Sequence, residues 1–411
     1  MALPHIQLNG REYAGTAEPV VVVCVDGSEP AYHEKAIEAG VMPFFEKLLA
    51  SGNSLSATCA MPSFTNPNNL SIATGVPPAV HGIGGNYFFD RDSGEEVMMN
   101  DPKWLRVRTL FAEYSAQGAK VAVITAKDKL RRLLGSGLDG GICFSAEFAS
   151  KATVAEHGIS GVLDMLGMEQ PSVYSAELSE LVMAGGVALL RDRRPDLMYL
   201  SLTDYVQHKH APGSATANAF YAMLDAYCEK LDNLGCVLVV TADHGMNAKS
   251  AADGEPRVVY LQGLLDEWLG AGHARVVLPI TDPYTVHHGA LGSFATIYLD
   301  EPAEAGGLLA RLSRQPGVEL ALDIDTAAAR FELPADRMGD LVVIGDQGTA
   351  LGTTPDRHDL SALKEPLRSH GGLSEQNVPF VVNRDVRALP AGHRLRNFDA
   401  YWVATTFAET P

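Results

Sequence analysis

A chain of 411 residues with 32 Lys and Arg against 50 Asp and Glu carries a formal charge of −18. That balance argues against a nucleic-acid or anionic-membrane partner, and an anionic ligand must find positive charge locally, from metal ions or clustered Lys. A hydrophobic content of 46% is ordinary for a globular protein, and the length admits two or three average domains or one large α/β core with insertions.

Five cysteines (Cys24, Cys59, Cys143, Cys228 and Cys236), odd in number and without a CxxC pair, are expected as buried free thiols in a reducing compartment. The start MALPHIQLNGREY has no basic segment leading into an apolar run, and no stretch approaches the length of a membrane span. A cytoplasmic location without a membrane partner is therefore expected.

Short apolar, β-branched runs alternate with amphipathic ones. VVVCV (residues 21–25) reads as a strand buried on both faces, with Asp26 and Gly27 directly after it, and PFFEKLLA from Pro43 reads as a helix. In MPSFTNPNNLSIATGV, Thr65 stands at the start of the next helix. The common role for such a Thr is an N-cap, but a helix N-terminus also suits an alkoxide or a phosphoryl group. HGIGGNYF follows, with Asn86 beside two glycines and Tyr87, Phe88 and Phe89 next to it. A helix is predicted over WLRVRTLFAEYSAQG from Trp104, then the strand KVAVITA (residues 120–126), then Lys127 and Lys129 in AKDK. In an extended segment both ammonium groups point the same way, whereas on a helix they do not face each other. Helices from Ser175 and from Ala215 flank the strand DLMYLSL (residues 196–202), and CVLVV (residues 236–240) is the last of this series.

Strand alternating with helix predicts an α/β fold, a doubly wound, mostly parallel sheet sandwiched by helices, with ligands gathered beyond the carboxyl ends of the strands. The chemically interesting residues stand there: Asp26 after the first strand, Lys127 and Lys129 after KVAVITA, Asp204 after DLMYLSL, and Asp243-His244 after CVLVV. Residues 247–368 read differently, as an inserted mixed α+β cap with a helix over residues 258–270 and strand-like VVLPI, SFATIYL and DLVVIG. The core is then 1–246 with 369–411, and residues 130–175 are expected to add loops over the site.

Asp204 and His208, four apart in DYVQH, share one face of a helical turn. Alone, such a pair is more often a surface hydrogen bond than a metal site. TADHGM places adjacent Asp243 and His244 straight after a buried strand, SHGG offers His370 at a tight turn, and Asp26 adds another carboxylate. Three Asp, three His and the Thr65 hydroxyl can serve two divalent cations, typically zinc, although the same donors accept manganese or iron. Two such ions about 4 Å apart form a clamp for phosphoryl transfer and make a neighbouring hydroxyl a competent nucleophile.

The order Asp26…Thr65…Asp204-x-x-x-His208…Asp243-His244…His370 resembles the alkaline phosphatase superfamily, in the Thr-nucleophile branch that includes nucleotide pyrophosphatases/phosphodiesterases and phosphonoacetate hydrolases. The resemblance implies one zinc on Asp204, His208 and His370, a second on Asp26, Thr65, Asp243 and His244, and Asn86 on a phosphoryl oxygen. Lys127 and Lys129 look like the carboxylate-binding lysines of phosphonoacetate hydrolases, and MPSFTNPNN is also more similar to that group. What this implies is a di-zinc hydrolase cleaving the carbon–phosphorus bond of phosphonoacetate to acetate and phosphate. Thr65 would be the nucleophile, and Thr65, Asn86, Lys127, Lys129 and His208 would bind this small phosphonate.

One rival is a nucleotide pyrophosphatase/phosphodiesterase using the same metals, with Tyr87, Phe88 and Phe89 as a slot for the base. An isomerase of the phosphoglycerate mutase type is disfavoured by Thr65, since those enzymes use Ser; a metal-binding protein without turnover is the third alternative. His81, His210, His287 and His288 are assigned no role. A homodimer is the base-rate expectation.

Overall fold

Residues 3–51, 54–280, 290–301, 305–361 and 363–409 are described by the structure, a computed structural model; His287 and His288 lie outside the described residues. In chain order the strands of its two main sheets are β1 (Val20–Cys24), β2 (Ser54–Thr58), β3 (Val121–Thr125), β4 (Ile142–Ser145), β5 (Leu197–Ser201), β6 (Val237–Thr241), β7 (Ala274–Val277), β8 (Phe294–Leu299), β9 (Val318–Asp323), β10 (Leu341–Gly345) and β11 (Asn377–Val382). The first sheet has seven strands in the order β2-β11-β6-β1-β5-β3-β4. β6, β1, β5, β3 and β4 are parallel neighbours, while β11 runs antiparallel to both β6 and β2.

The apolar runs become central strands because both of their faces are covered. Along β1, Val20, Val22 and Cys24 point to one face, among Tyr13, Phe111, Tyr199 and Tyr401. Val21, Val23 and then Val25 point to the other, among Phe45, Leu181, Leu200 and Tyr221. Each fully buried Val stabilises the fold by roughly 1.5–3 kcal/mol relative to an exposed one, so β1 tolerates no slip in register. The covering helices are α1 (Pro43–Ala50), α2 (Thr65–Thr74), α3 (Leu110–Ala116), α4 (Asp128–Leu134), α5 (Glu177–Asp192), the single turn α6 (Tyr205–Lys209) and α7 (Ala215–Asn233). α2, α3 and α4 lie on the first face, and α1, α5 and α7 on the second.

The second sheet is fully antiparallel, in the order β7-β8-β10-β9, and has its own apolar cluster around Phe294, Ile297, Leu341 and Ile344. The chain leaves the first sheet through Asn247–Ala248 and returns through Arg368–Ser369, and these two segments pair with each other. All five cysteines are buried free thiols. No described helix is long and apolar enough to cross a membrane.

Three elements differ from expectation. The helix predicted from Trp104 begins only at Leu110, because the Thr109 hydroxyl accepts the Ala112 N–H (3.1 Å) and fixes the start there. Val258–Tyr260, expected as the first turn of a helix, is a strand paired in parallel with Ala350–Gly352; the helix α8 spans Leu261–Leu269. The AKDK segment is extended only at Lys127, the N-cap of α4; the backbone is helical from Asp128, and Lys129 lies in the first turn.

Candidate active site

The carboxyl ends of β1, β5 and β6 lie side by side in the sheet, and each feeds directly into a chemically active loop. Asp26 follows β1, Asp204 follows β5, and Asp243 with His244 follows β6. All four are buried. The return segment brings His370 to the same place. Gly371 permits this approach: its φ is +116°, and a Cβ there would fall 2.4 Å from Phe64 Cε1. Asn68, fully buried, staples the preceding loop by accepting the Ala60 N–H (2.7 Å) and donating to Phe64 O (3.1 Å).

Thr65 is the first residue of α2, and Phe64 holds the cap position without a side-chain bond. The Thr65 hydroxyl therefore does not cap the helix; its Oγ1 lies 3.2 Å from His244 Nε2.

The three imidazoles share one arrangement. Nδ1 of His208 is 2.8 Å from Arg368 O, Nδ1 of His370 is 2.8 Å from Ser63 O, and Nδ1 of His244 is 2.9 Å from Gly245 O. A carbonyl can only accept, so each Nδ1 carries a proton and each Nε2 faces inward. Those Nε2 atoms meet carboxylates: His208 at 2.8 Å from Asp204 Oδ2, His244 at 3.4 Å from Asp26 Oδ1 and 3.7 Å from Asp243 Oδ2, and His370 at 4.0 Å from Asp204 Oδ2. The rings of His244 and His370 stack at 3.7 Å.

Two groups of donors lie within 4.8 Å of one another: Asp204, His208 and His370, and Asp26, Asp204 and His244. The first is the set expected for one metal. In the second, Asp204 appears where the sequence reading has Asp243, whose oxygens accept from the N–H groups of Gly27 (3.2 Å) and His244 (3.0 Å) and from Asn69 Nδ2 (3.0 Å).

Crowding of like charges shows in the electrostatics. Burial, then the Asp204 and Asp243 charges, push the Asp26 carboxyl well above the usual carboxylate range. Burial and the Asp204 charge likewise raise Asp243, against the opposing effect of His244. For Asp204 burial pulls upward, but His208, Lys127 and His370 together hold it well below its ordinary value. Burial and the neighbouring imidazoles push the His370 pKa well below its ordinary value.

Beside this cluster is a cavity of about 100 Å³, lined by Thr65, Asn86, Lys127, Lys129, Asp204 and His370 among others. The two lysines thus reach one cavity although they sit at a helix start, because α4 begins where β3 ends, level with β5 and Asp204. Asp128 between them turns away, its Oδ1 accepting from Arg131 Nε (2.5 Å) and Ser145 Oγ (3.1 Å). The Asn86 N–H donates to Pro279 O (2.7 Å), and the buried Asn86 Oδ1 accepts no hydrogen bond from the described residues. Tyr87, Phe88 and Phe89 do not line the cavity; Phe88 packs edge-on against Trp104 and Phe89 against Tyr298. His81 is a buried packing residue held by Ser71 Oγ (2.9 Å).

Sequence reading overlooked Asn66, Met98 and Asn100, which also line the cavity. It overlooked Asn69 too, one turn beyond Thr65. The Asn69 amide donates to Asp243 Oδ2 and to Thr65 O (3.0 Å each), and its Oδ1 accepts from Tyr199 and Ser201 (2.7 and 2.9 Å). The four-residue spacing from Thr65 was the available signal.

The sequence pattern of the family described as Type I phosphodiesterase / nucleotide pyrophosphatase matches residues 20–373. Among solved structures, phosphonoacetate hydrolase from Sinorhizobium meliloti 1021 in complex with phosphonoformate is 57% identical, with a TM-score of 0.94 over 99% of each chain. The same enzyme in complex with phosphonoacetate is 56% identical, with the same TM-score and coverage. Murine ectonucleotide pyrophosphatase / phosphodiesterase 5, at 17% identity over 93% of each chain and a TM-score of 0.63, shares the fold. A curated phosphonoacetate hydrolase from Penicillium oxalicum is 63% identical over 30 residues, which are 7% of this chain; the match spans 42% of that relative's length. From the match over residues 20–373 and the near-complete overlap with the Sinorhizobium enzyme, the chain belongs to the type I phosphodiesterase / nucleotide pyrophosphatase family, in its phosphonoacetate hydrolase branch.

Proposed function

We propose that the chain is a metal-dependent phosphonoacetate hydrolase, with residues 1–246 and 369–411 as catalytic core and 247–368 as cap. The observation that carries the reading is the single small cavity in which Thr65, Asn86, two lysines and the carboxylate–imidazole cluster converge.

The donors fit divalent cations. Three imidazole Nε2 atoms face buried carboxylates at 2.8 to 4.0 Å, an arrangement that a divalent cation can bridge once it displaces the protons from Nε2. Asp26 Oδ1, buried and without a hydrogen bond among the described residues, is open to the same charge. We assign one zinc to Asp204, His208 and His370 and a second to Asp26, Thr65, Asp243 and His244; manganese or iron would suit the same donors. Bound there, the ions would lower the pKa of a nearby hydroxyl and neutralise phosphoryl oxygens.

The residues then divide the work. Thr65 Oγ1 attacks phosphorus, forming a phosphothreonine as the phosphorus–carbon bond breaks and its electron pair stays on the methylene carbon. That carbanion is tolerable because its charge spreads into the adjacent carboxylate. Lys127 and Lys129 hold that carboxylate and gain most as its charge grows, so they act on the transition state more than on binding. Asn86 holds a phosphoryl oxygen. Water then cleaves the phosphothreonine, releasing phosphate and restoring the Thr65 hydroxyl, and the carbanion takes up from solvent a proton equivalent to the one Thr65 gave up and leaves as acetate. The displacement of Tyr87, Phe88 and Phe89 from the cavity counts against a nucleotide as the preferred substrate.

Phosphate release from phosphonoacetate, measured before and after chelation and re-addition of zinc, tests the reading. Thr65→Ala is expected to lower turnover by at least roughly three orders of magnitude. Lys127→Ala should cost roughly 10²–10³-fold in kcat. Faster turnover of a p-nitrophenyl nucleotide diester than of phosphonoacetate, or activity retained in Thr65→Ala, overturns it.

A further inference from the structure

A buried arginine, two residues before His370, bonds to the segments that carry His208 and His244. The Arg368 side chain is 8% exposed. Its Nε donates to Gln207 O at 2.9 Å, the carbonyl just before His208. Its Nη2 donates to Met246 O at 3.0 Å, two residues past His244, and to the Tyr32 hydroxyl at 3.1 Å. That hydroxyl in turn donates to His210 O (2.7 Å), just past His208. The backbone contributes as well. Arg368 O accepts the His208 Nδ1–H at 2.8 Å, which orients the ring and fixes its tautomer, and Arg368 is two residues before His370.

All three side-chain bonds go to neutral oxygens, and among the described residues no carboxylate oxygen lies within 4 Å of this cation, although its charge is felt at Glu29. A planar fork with five donors can satisfy several acceptors in fixed directions, which an ammonium cannot do. Its contacts are also uneven. His208 is gripped on both sides in the chain and through its ring, and His370 is tied covalently, whereas His244 is reached through one carbonyl two residues away.

We propose that Arg368, with Tyr32 as its relay, is a positioning residue that sets the affinity of the Asp204–His208–His370 group for a divalent cation, and bears much less on the group containing Asp26 and His244. This rests on the two-cation reading of the site.

The test is zinc titration of chelator-stripped protein against a competing chromophoric chelator, which resolves successive equivalents. His208→Ala identifies the equivalent that belongs to the Asp204–His208–His370 group. In Arg368→Lys, which keeps the charge and loses the fork, that same equivalent should weaken by roughly 10–100-fold, the usual effect of removing a partner behind a metal ligand. The other equivalent should shift less than about threefold. Tyr32→Phe, which deletes one hydroxyl, should weaken the same equivalent to a smaller extent. Arg368→Lys added to His208→Ala should leave the remaining equivalent as it is in His208→Ala alone.

Both equivalents at wild-type affinity in Arg368→Lys and Tyr32→Phe, with only the thermal midpoint of the metal-free protein lowered, would make Arg368 a packing residue and overturn the inference. Equal weakening of both equivalents overturns its selectivity. Fewer than two equivalents in the wild type overturns the two-cation reading itself, a result distinct from either.

Discussion

Lys249 and Glu375 form an ion pair with both side chains fully buried, Nζ to Oε1 at 3.0 Å. Glu375 also accepts from Asn247 Nδ2 (2.7 Å), Gly372 N (2.9 Å) and Ser374 Oγ (2.7 Å), while its own carbonyl accepts the Gly245 N–H (2.8 Å). It therefore joins the loop after His244 to the turn after His370. Lys249→Met leaves this carboxylate buried without its counter-charge. Removing one member of a buried pair costs about 3–5 kcal/mol. Three hydrogen bonds to the carboxylate survive the change, so the lower end applies, about 3 kcal/mol, or roughly two decades in the folding equilibrium. Glu375→Gln keeps the Oε1 acceptor for Asn247 and Ser374, turns an NH2 toward the Gly372 N–H and removes the charge, so Lys249→Met in that background should cost only about 1 kcal/mol, a coupling of about 2 kcal/mol. Urea unfolding of the four proteins measures this, with coincident circular-dichroism and tryptophan-fluorescence curves required before free energies are read. A cost below about 1 kcal/mol for Lys249→Met, or no coupling between the two sites, refutes the reasoning.

Asn69→Ala removes a bond to a buried carboxylate and leaves Tyr199 and Ser201 without their shared acceptor. It should cost about 2–3 kcal/mol in stability and lower kcat more than it raises KM, which steady-state assays on phosphonoacetate would separate. Burial lowers the pKa of His33 from 6.5 to about 4. The unfolded chain then binds more protons than the folded one between those values, so this group contributes stability that is present above pH 6.5 and lost as pH falls toward 4. His33→Asn should remove about 3 kcal/mol from that pH dependence, seen as a flatter acid limb in urea midpoints taken across the interval.

The parallel strands were legible because burial on both faces forces continuous Val, Ile and Leu runs, and their carboxyl ends pointed at once to Asp26, Asp204 and Asp243. Other strands were not. β2 is SLSAT, polar at alternate positions, and β11 carries Pro379 within NVPFVV, so neither announces a place in the main sheet. For AKDK the shared destination of Lys127 and Lys129 was anticipated, but the helix that begins at Asp128 was not. Asp128 in a first turn with Arg131 and Arg132 in the last is a dipole-matched helix, a signal present in the sequence. Arg368 was invisible for a different reason. Its side-chain partners are two main-chain carbonyls and the distant Tyr32 hydroxyl, and such contacts impose no spacing on the chain.

β11 occupies the slot between β6 and β2, and β2 has β11 as its neighbour in the sheet, with Thr58 opposite Asn377 and Leu55 opposite Phe380. On a ribosome, then, the segment around residue 56 emerges early and must wait for more than three hundred further residues before its ladder partner appears. Closing so long a loop adds little free-energy penalty, which rises only logarithmically with length, but it delays assembly. Until that late strand is threaded home, one flank of β6 stays unzipped, a sticky seam for which chaperones and neighbouring nascent chains compete.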